Sequence, residues 1–172
     1  MSLHGRCFAF EADFVDNLRC LPMAVRRKLD LVGVKLKLVH WSGLEPEERQ
    51  RLLAWPDDKA SLDALRQWLL ARSAALPQGP ALPLPPAQWE PWQQGEQMPA
   101  ILLASYQQLG LTPAAEQWRK LDELQRFALV KLSHPGHEHR NLPRALEEFG
   151  LVTLAPSLPE SGSPHEDKSR GR

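Results

Sequence analysis

Cysteine is scarce. Cys7 and Cys20 are the only two in 172 residues, too few for a disulfide scaffold, and no C-x-x-C pair suggests zinc. An excess of either charge is also missing, with 21 Lys and Arg against 21 Asp and Glu. That balance argues against a dedicated nucleic-acid binder, whose affinity comes mainly from phosphate neutralisation, although it leaves room for a local patch. No apolar run approaches the roughly 18–20 residues needed to span a bilayer. The N-terminus lacks a basic region followed by a long apolar stretch, so no secretory leader is expected. A cytoplasmic protein with reduced thiols follows. Phosphate-binding glycine loops, dinucleotide fingerprints, G-x-S-x-G turns and H-E-x-x-H are all absent. No local motif supports catalysis, so no catalytic residue, resident cofactor or metal is expected.

What is present is helical periodicity in a chain that is 42% hydrophobic. Phe8 and Phe10 alternate as a short extended segment would, and Phe14 and Leu18 sit at helical spacing. Leu21, Val25, Leu29 and Val32 form one face of a helix that starts at Pro22, with Arg26, Arg27 and Lys28 off that face. Gly33 supplies a left-handed cap, with Val34 expected to fold back on Leu29. Residues 44–55 predict a second helix, with Pro46, Glu47 and Glu48 near the positive end of its dipole. Residues 61–75 predict a third, capped by Ser61 and burying Leu62, Leu65 and Leu69. Between 77 and 92, six prolines forbid a helix and favour extended backbone. Trp89 and Trp92 in that stretch are expected to pack against the surface beneath it; a proline-rich ligand for a partner domain is the sharper reading. Beyond residue 154 the chain has no apolar periodicity and predicts disorder.

The sequence also resembles itself at an offset of 77 residues, the separation of Gly33 and Gly110. Pro22 then meets Pro99, Trp41 meets Trp118, Leu44 meets Leu121, Arg49 meets Arg126 and Leu52 meets Leu129. Ala64-Leu65 matches Ala145-Leu146 after a further shift, which falls where the second copy carries His134-Pro-Gly-His-Glu-His-Arg. Each matched residue type has a structural job, so the repeat bears on fold. The prediction is an all-α protein of two tandem pseudo-symmetric helical repeats packed together, with a short extended N-terminal segment. One domain covers 1–154: repeat 1 at about 20–75, a proline-rich connection at 76–97 and repeat 2 at 98–151. A disordered tail occupies 155–172. Each unit reads as helix, glycine cap, short turn carrying tryptophan, helix and closing helix. Both glycines should have positive φ, and both tryptophans should be buried.

The sharpest polar cluster is His134, His137, Glu138, His139, Arg140 and Asn141. As a metal or anion site it offers nitrogens three apart, but Pro135-Gly136 breaks any helix that would fix their geometry. As a plain loop it leads to Asn141, which would cap the last helix, with Gly150 ending that helix. Cys20, before the first helix, is either a reactive thiol or a small buried side chain. Arg49 and Arg126 read as structural, pairing or covering an aromatic face, with anion binding the alternative. The loop breaks the symmetry of the two copies, and loops on rigid frames commonly carry specificity. His137, Glu138 and Asn141 are therefore the candidate partner-binding residues, with Cys20 and Arg19 after them.

The run from Phe10-Glu11 through Asp13-Phe14, Leu18-Arg19-Cys20 and Pro22-Met23 to Leu29-Asp30, with Gly33 and Trp41, resembles the nitrate reductase-associated protein family. So does Trp118-Arg-Lys120-Leu121, followed by Gln125-Arg126-Phe127 through His137-Glu138 and by Ala145-Leu146 to Gly150-Leu151. The resemblance covers roughly residues 8–151, while the proline-rich segment and the tail depart from the family pattern. It implies a small bacterial protein linked to nitrate assimilation. Cyanobacterial members are needed for active assimilatory nitrate reductase, an enzyme with a molybdenum cofactor and an iron–sulfur cluster. No catalytic residues carry over. The implied function is a non-catalytic accessory or assembly factor that binds nitrate reductase and aids cofactor insertion or retention, with neither nucleic acid nor membrane as partner. The alternative is a carrier or sensor for a small ligand or metal, resting on Cys20 and the 134–141 loop.

Overall fold

A computed structural model of the chain describes residues 5–136 and 140–152. The order along the chain is α1 (Ala12–Val15), α2 (Met23–Val32), β1 (Val34–Lys35), α3 (Leu38–Ser42), α4 (Pro46–Ala54), α5 (Lys59–Ala74), β2 (Leu82–Pro83), α6 (Ala100–Gln108), α7 (Ala115–Lys120), α8 (Glu123–Leu132) and α9 (Asn141–Glu148). The protein is thus mostly helical, and β1 and β2 form a short antiparallel pair.

The N-terminal segment is not extended. Ala9–Glu11 form a 3-10 turn that runs into α1, and Asp16–Leu18 form another. The alternating phenylalanines are buried by packing rather than by strand geometry: Phe8 meets Phe149 edge-on at 4.8 Å. The Ala9 and Phe10 N–H groups each donate to the Glu148 carboxylate at 2.9 Å. The start of the chain is therefore latched to α9, with Arg144 and Asp13 adding an exposed ion pair at 3.0 Å.

Apolar burial falls into two clusters. One joins Phe8, Phe10, Met23 and Ala24 to Leu102, Tyr106, Trp118, Phe127, Leu129, Leu142 and Leu146. The other joins Val25, Leu29, Val32, Trp41, Leu44, Leu52, Leu65 and Leu69. Helix α2 contributes to both, so it is buried on two sides. Polar links cross between the halves: Arg27 bridges Asp57 at 2.8 Å and Glu123 at 2.6 Å, and Lys131 pairs with Asp30 at 2.7 Å.

Helix ends follow local chemistry. Asp58 caps α5 by accepting from the Ser61 N–H at 3.0 Å, so the cap is Asp58 and not the predicted Ser61, which lies one turn inside. Asp122 and Gln125 form a reciprocal capping box on α8. Asn141 does not cap α9. It is the first helical residue, and the capping position is held by Arg140. Gly33 and Gly110 both lie at φ 66°. Leu111 N–H reaches back to Tyr106 O at 2.9 Å, closing the expected left-handed cap. After Gly33 the chain leaves differently, because Val34 is drawn into pairing with Pro83. Trp41 and Trp118 are fully buried, though each sits in a short helix, α3 or α7, rather than in a turn. Arg49 donates to Leu44 O and Leu18 O, and Arg126 to Leu121 O and Trp92 O, so both guanidinium groups tie main-chain carbonyls together.

Candidate functional site

The C-terminal end of α2 and the proline-rich segment build the most distinctive concavity. Gly33 turns the chain out of α2, and Leu84 N–H donates to Gly33 O at 2.8 Å while Ala87 N–H donates to Asp30 O at 2.8 Å. Arg66 fastens the same point by donating to the carbonyls of Val32, Gly33 and Leu84. The approach is so close that a Cβ on Gly33 would lie 2.2 Å from Leu84 O. Prolines suit this lay of the chain because it needs extended backbone and few donors.

Between this strap, α2 and the end of α8 opens a cleft of about 750 Å³. Buried Trp92 forms part of its floor, and Leu36, Leu38 and Leu84 add apolar wall. Its polar lining is Cys20, Arg26, Asp30, Lys35, Glu90, Lys131 and His134. Lys131 of α8 pairs with Asp30 of α2 across it. Arg26 Nε donates to Leu21 O at 3.1 Å, and its positive charge partly offsets the upward push that burial gives the Glu11 carboxyl.

Of the sequence candidates, the cleft takes in Cys20, which is half-buried, together with His134 at the start of the symmetry-breaking loop. Arg19 is exposed beside Cys20 and does not line the cleft, and neither does the half-buried Asn141. His137 and Glu138 lie outside the described residues, as does the 155–172 tail. Among the described residues no group of three His, Cys, Asp or Glu is placed to hold a metal.

Two buried charges escaped the sequence reading. Glu11 is fully buried and accepts from Phe8 N–H at 2.9 Å and Met23 N–H at 2.6 Å, the latter at the start of α2. Burial pushes its carboxyl upward, and those two hydrogen bonds oppose the shift. Lys28 is only 1% exposed although periodicity puts it off the apolar face. Its Nζ donates to Leu52 O, Leu53 O and Trp55 O at 2.7–2.9 Å, satisfying carbonyls of the last turn of α4 and the residue that follows it. Burial pulls the ammonium down to about 8, with Asp57 opposing that and Arg27 reinforcing it. No spacing rule distinguishes such a lysine from a solvated one. Trp89 corrects the opposite expectation, since it is 78% exposed rather than packed.

No helix of the described residues is long and apolar enough to cross a membrane. No curated protein and no solved structure matches the chain. The model of a family described as conserved nitrate reductase-associated protein matches residues 7–149, which take in both apolar clusters up to Phe149 and every residue lining the cleft. The chain belongs to the conserved nitrate reductase-associated protein family.

Proposed function

We propose that the protein is a non-catalytic accessory factor that binds nitrate reductase in the cytoplasm and assists insertion or retention of its molybdenum cofactor. The observation that carries this reading is the family match over residues 7–149. The cleft gives it a physical basis, because a concavity with apolar walls and a few charged groups on a helical frame suits a partner segment. The balance of 21 basic and 21 acidic residues favours a protein partner over nucleic acid. A strain lacking the protein tests the proposal: it should show reduced nitrate reductase activity and reduced molybdenum content per enzyme. Normal activity and normal cofactor content in that strain would overturn it.

A second reading rests on the cleft's size and on Cys20 and His134 within it. About 750 Å³ is within the range of small-ligand pockets, and a carrier of a pterin-like or metal ligand would purify with it bound. We also read the two halves as copies of one unit. The shared φ of Gly33 and Gly110, the buried Trp41 and Trp118, and the matched bonds from Arg49 to Leu44 O and from Arg126 to Leu121 O favour this.

A further inference from the structure

Among the described residues, seven large apolar side chains are exposed, and five of them cluster in sequence: Leu38 (54%), Val39 (52%), Leu82 (54%), Leu84 (41%) and Trp89 (78%). They belong to the two segments that also supply cleft-lining Leu38, Leu84 and Glu90. Scattered exposed leucines need no explanation, but a concentration beside a cleft marks an interaction surface.

The strap also dictates how such a surface can be used. Lys35 lies opposite Leu82 and Val34 opposite Pro83, and Leu84 N–H points inward to Gly33 O. Successive N–H groups of an extended strand point to opposite sides, so the outward positions are 83 and 85. Both are proline, and the free edge has no donor to offer there. Strand addition along that edge is blocked, which leaves recognition to side chains and charge.

The charges favour one sign. Lys131 and Asp30 neutralise each other across the cleft. Lys35 and Arg26 form no ion pair among the described residues, although Arg26 also acts electrostatically on the buried Glu11 behind the wall, and Glu90 is the other acid in the lining. The lining thus holds three basic side chains, Arg26, Lys35 and Lys131, against two acidic ones, Asp30 and Glu90, in a chain whose overall charge is zero.

We propose that this cleft binds an extended segment of the partner that alternates apolar side chains with carboxylates. The apolar groups rest on Leu38 and Leu84, and the carboxylates reach Lys35 and Arg26. This rests on the reading of the protein as a nitrate reductase-binding factor and names the chemistry of the segment recognised.

The test is equilibrium binding of the full chain to purified nitrate reductase, with Lys35→Glu and Leu84→Ser as cleft variants and Leu103→Ser as a control. Leu103 is 40% exposed on α6, outside the cleft lining. All three positions are exposed, and circular dichroism confirms the fold before binding is measured. The expected result is a loss of about tenfold or more for each cleft variant, no change for the control, and wild-type affinity that weakens as salt is raised. If the wild type binds and Lys35→Glu binds equally well or better, the cleft assignment is overturned while the accessory role stands. If the wild type does not bind at all, the accessory role falls and the assignment with it. Should Leu84→Ser fail to fold, Lys35→Glu alone decides.

Discussion

Replacing Trp41 and Trp118 by phenylalanine, one at a time, separates two environments that the sequence makes look alike. Both rings are fully buried, so each variant loses the same volume and shares a packing cost, a fraction of the ~3–5 kcal/mol typical of Trp→Ala. Their indole N–H groups differ. Trp41 Nε1 donates to Leu18 O at 2.7 Å in a buried bond, and Arg49 reaches the same oxygen at 3.2 Å. Trp118 Nε1 is buried with no hydrogen-bond partner among the described residues. Trp41→Phe therefore breaks a bond worth about 0.5–1.5 kcal/mol, while Trp118→Phe removes a donor with no partner among the described residues, whose burial costs about 1–3 kcal/mol. Trp41→Phe should be less stable than Trp118→Phe by about 2 kcal/mol or more, a melting difference of about 4–8 °C for a chain of this size. Urea denaturation followed by far-ultraviolet circular dichroism measures this without interference from the other tryptophans. Equal stabilities, or a less stable Trp118→Phe, would refute the reasoning.

Gly33→Ala should cost more than about 3 kcal/mol, because its Cβ would meet Leu84 O at 2.2 Å and Pro86 N at 2.7 Å at a φ of 66°. Gly110→Ala, with nothing within 4 Å at the same φ, should cost only the backbone strain of about 1–2 kcal/mol, and equal costs in thermal melts would contradict the close packing of the strap. Lys28 carries a pH signature: its folded value of about 8 lies below the ordinary 10.5, so the charged form is disfavoured in the fold. That penalty is complete below about pH 8 and fades as pH rises toward 10.5. Wild-type stability relative to Lys28→Met should accordingly climb by about 2 kcal/mol between about pH 7 and about pH 9.5, and parallel curves would show that the ammonium is not desolvated.

The helical class was legible because α2 and α5 present apolar residues at regular spacing and α2 ends at a glycine cap. Gly33 and Gly110 could be placed as left-handed helix ends because few other residues accept φ near 66°. At the N-terminus the alternating phenylalanines fit a strand locally, yet they sit at a 3-10 turn. What decides their conformation is Glu148, some 140 residues away, which binds the Ala9 and Phe10 amides. Serine is a good cap, so the sequence points to Ser61, but Asp58 stands one turn earlier with a stronger acceptor. The candidate site was only partly readable. Cys20 and His134 line the cleft, and Arg19 and Asn141 do not. The remaining wall comes from Lys35, Leu38, Leu84 and Glu90, which no motif singles out because chain segments distant in sequence assemble it. Lys28 was hidden for a related reason: its burial depends on the end of α4, and helical periodicity sees only its own helix.

The most direct test of the central claim is whether the purified protein forms a complex with nitrate reductase isolated from a strain lacking it. Sedimentation or size-exclusion chromatography of the mixture, with molybdenum measured in the enzyme before and after incubation with a source of cofactor, reads both binding and its consequence. A complex with the cofactor-poor enzyme is expected, together with a gain in bound molybdenum and activity that requires the protein. Absence of any complex, with cofactor loading that proceeds equally well without the protein, would contradict it.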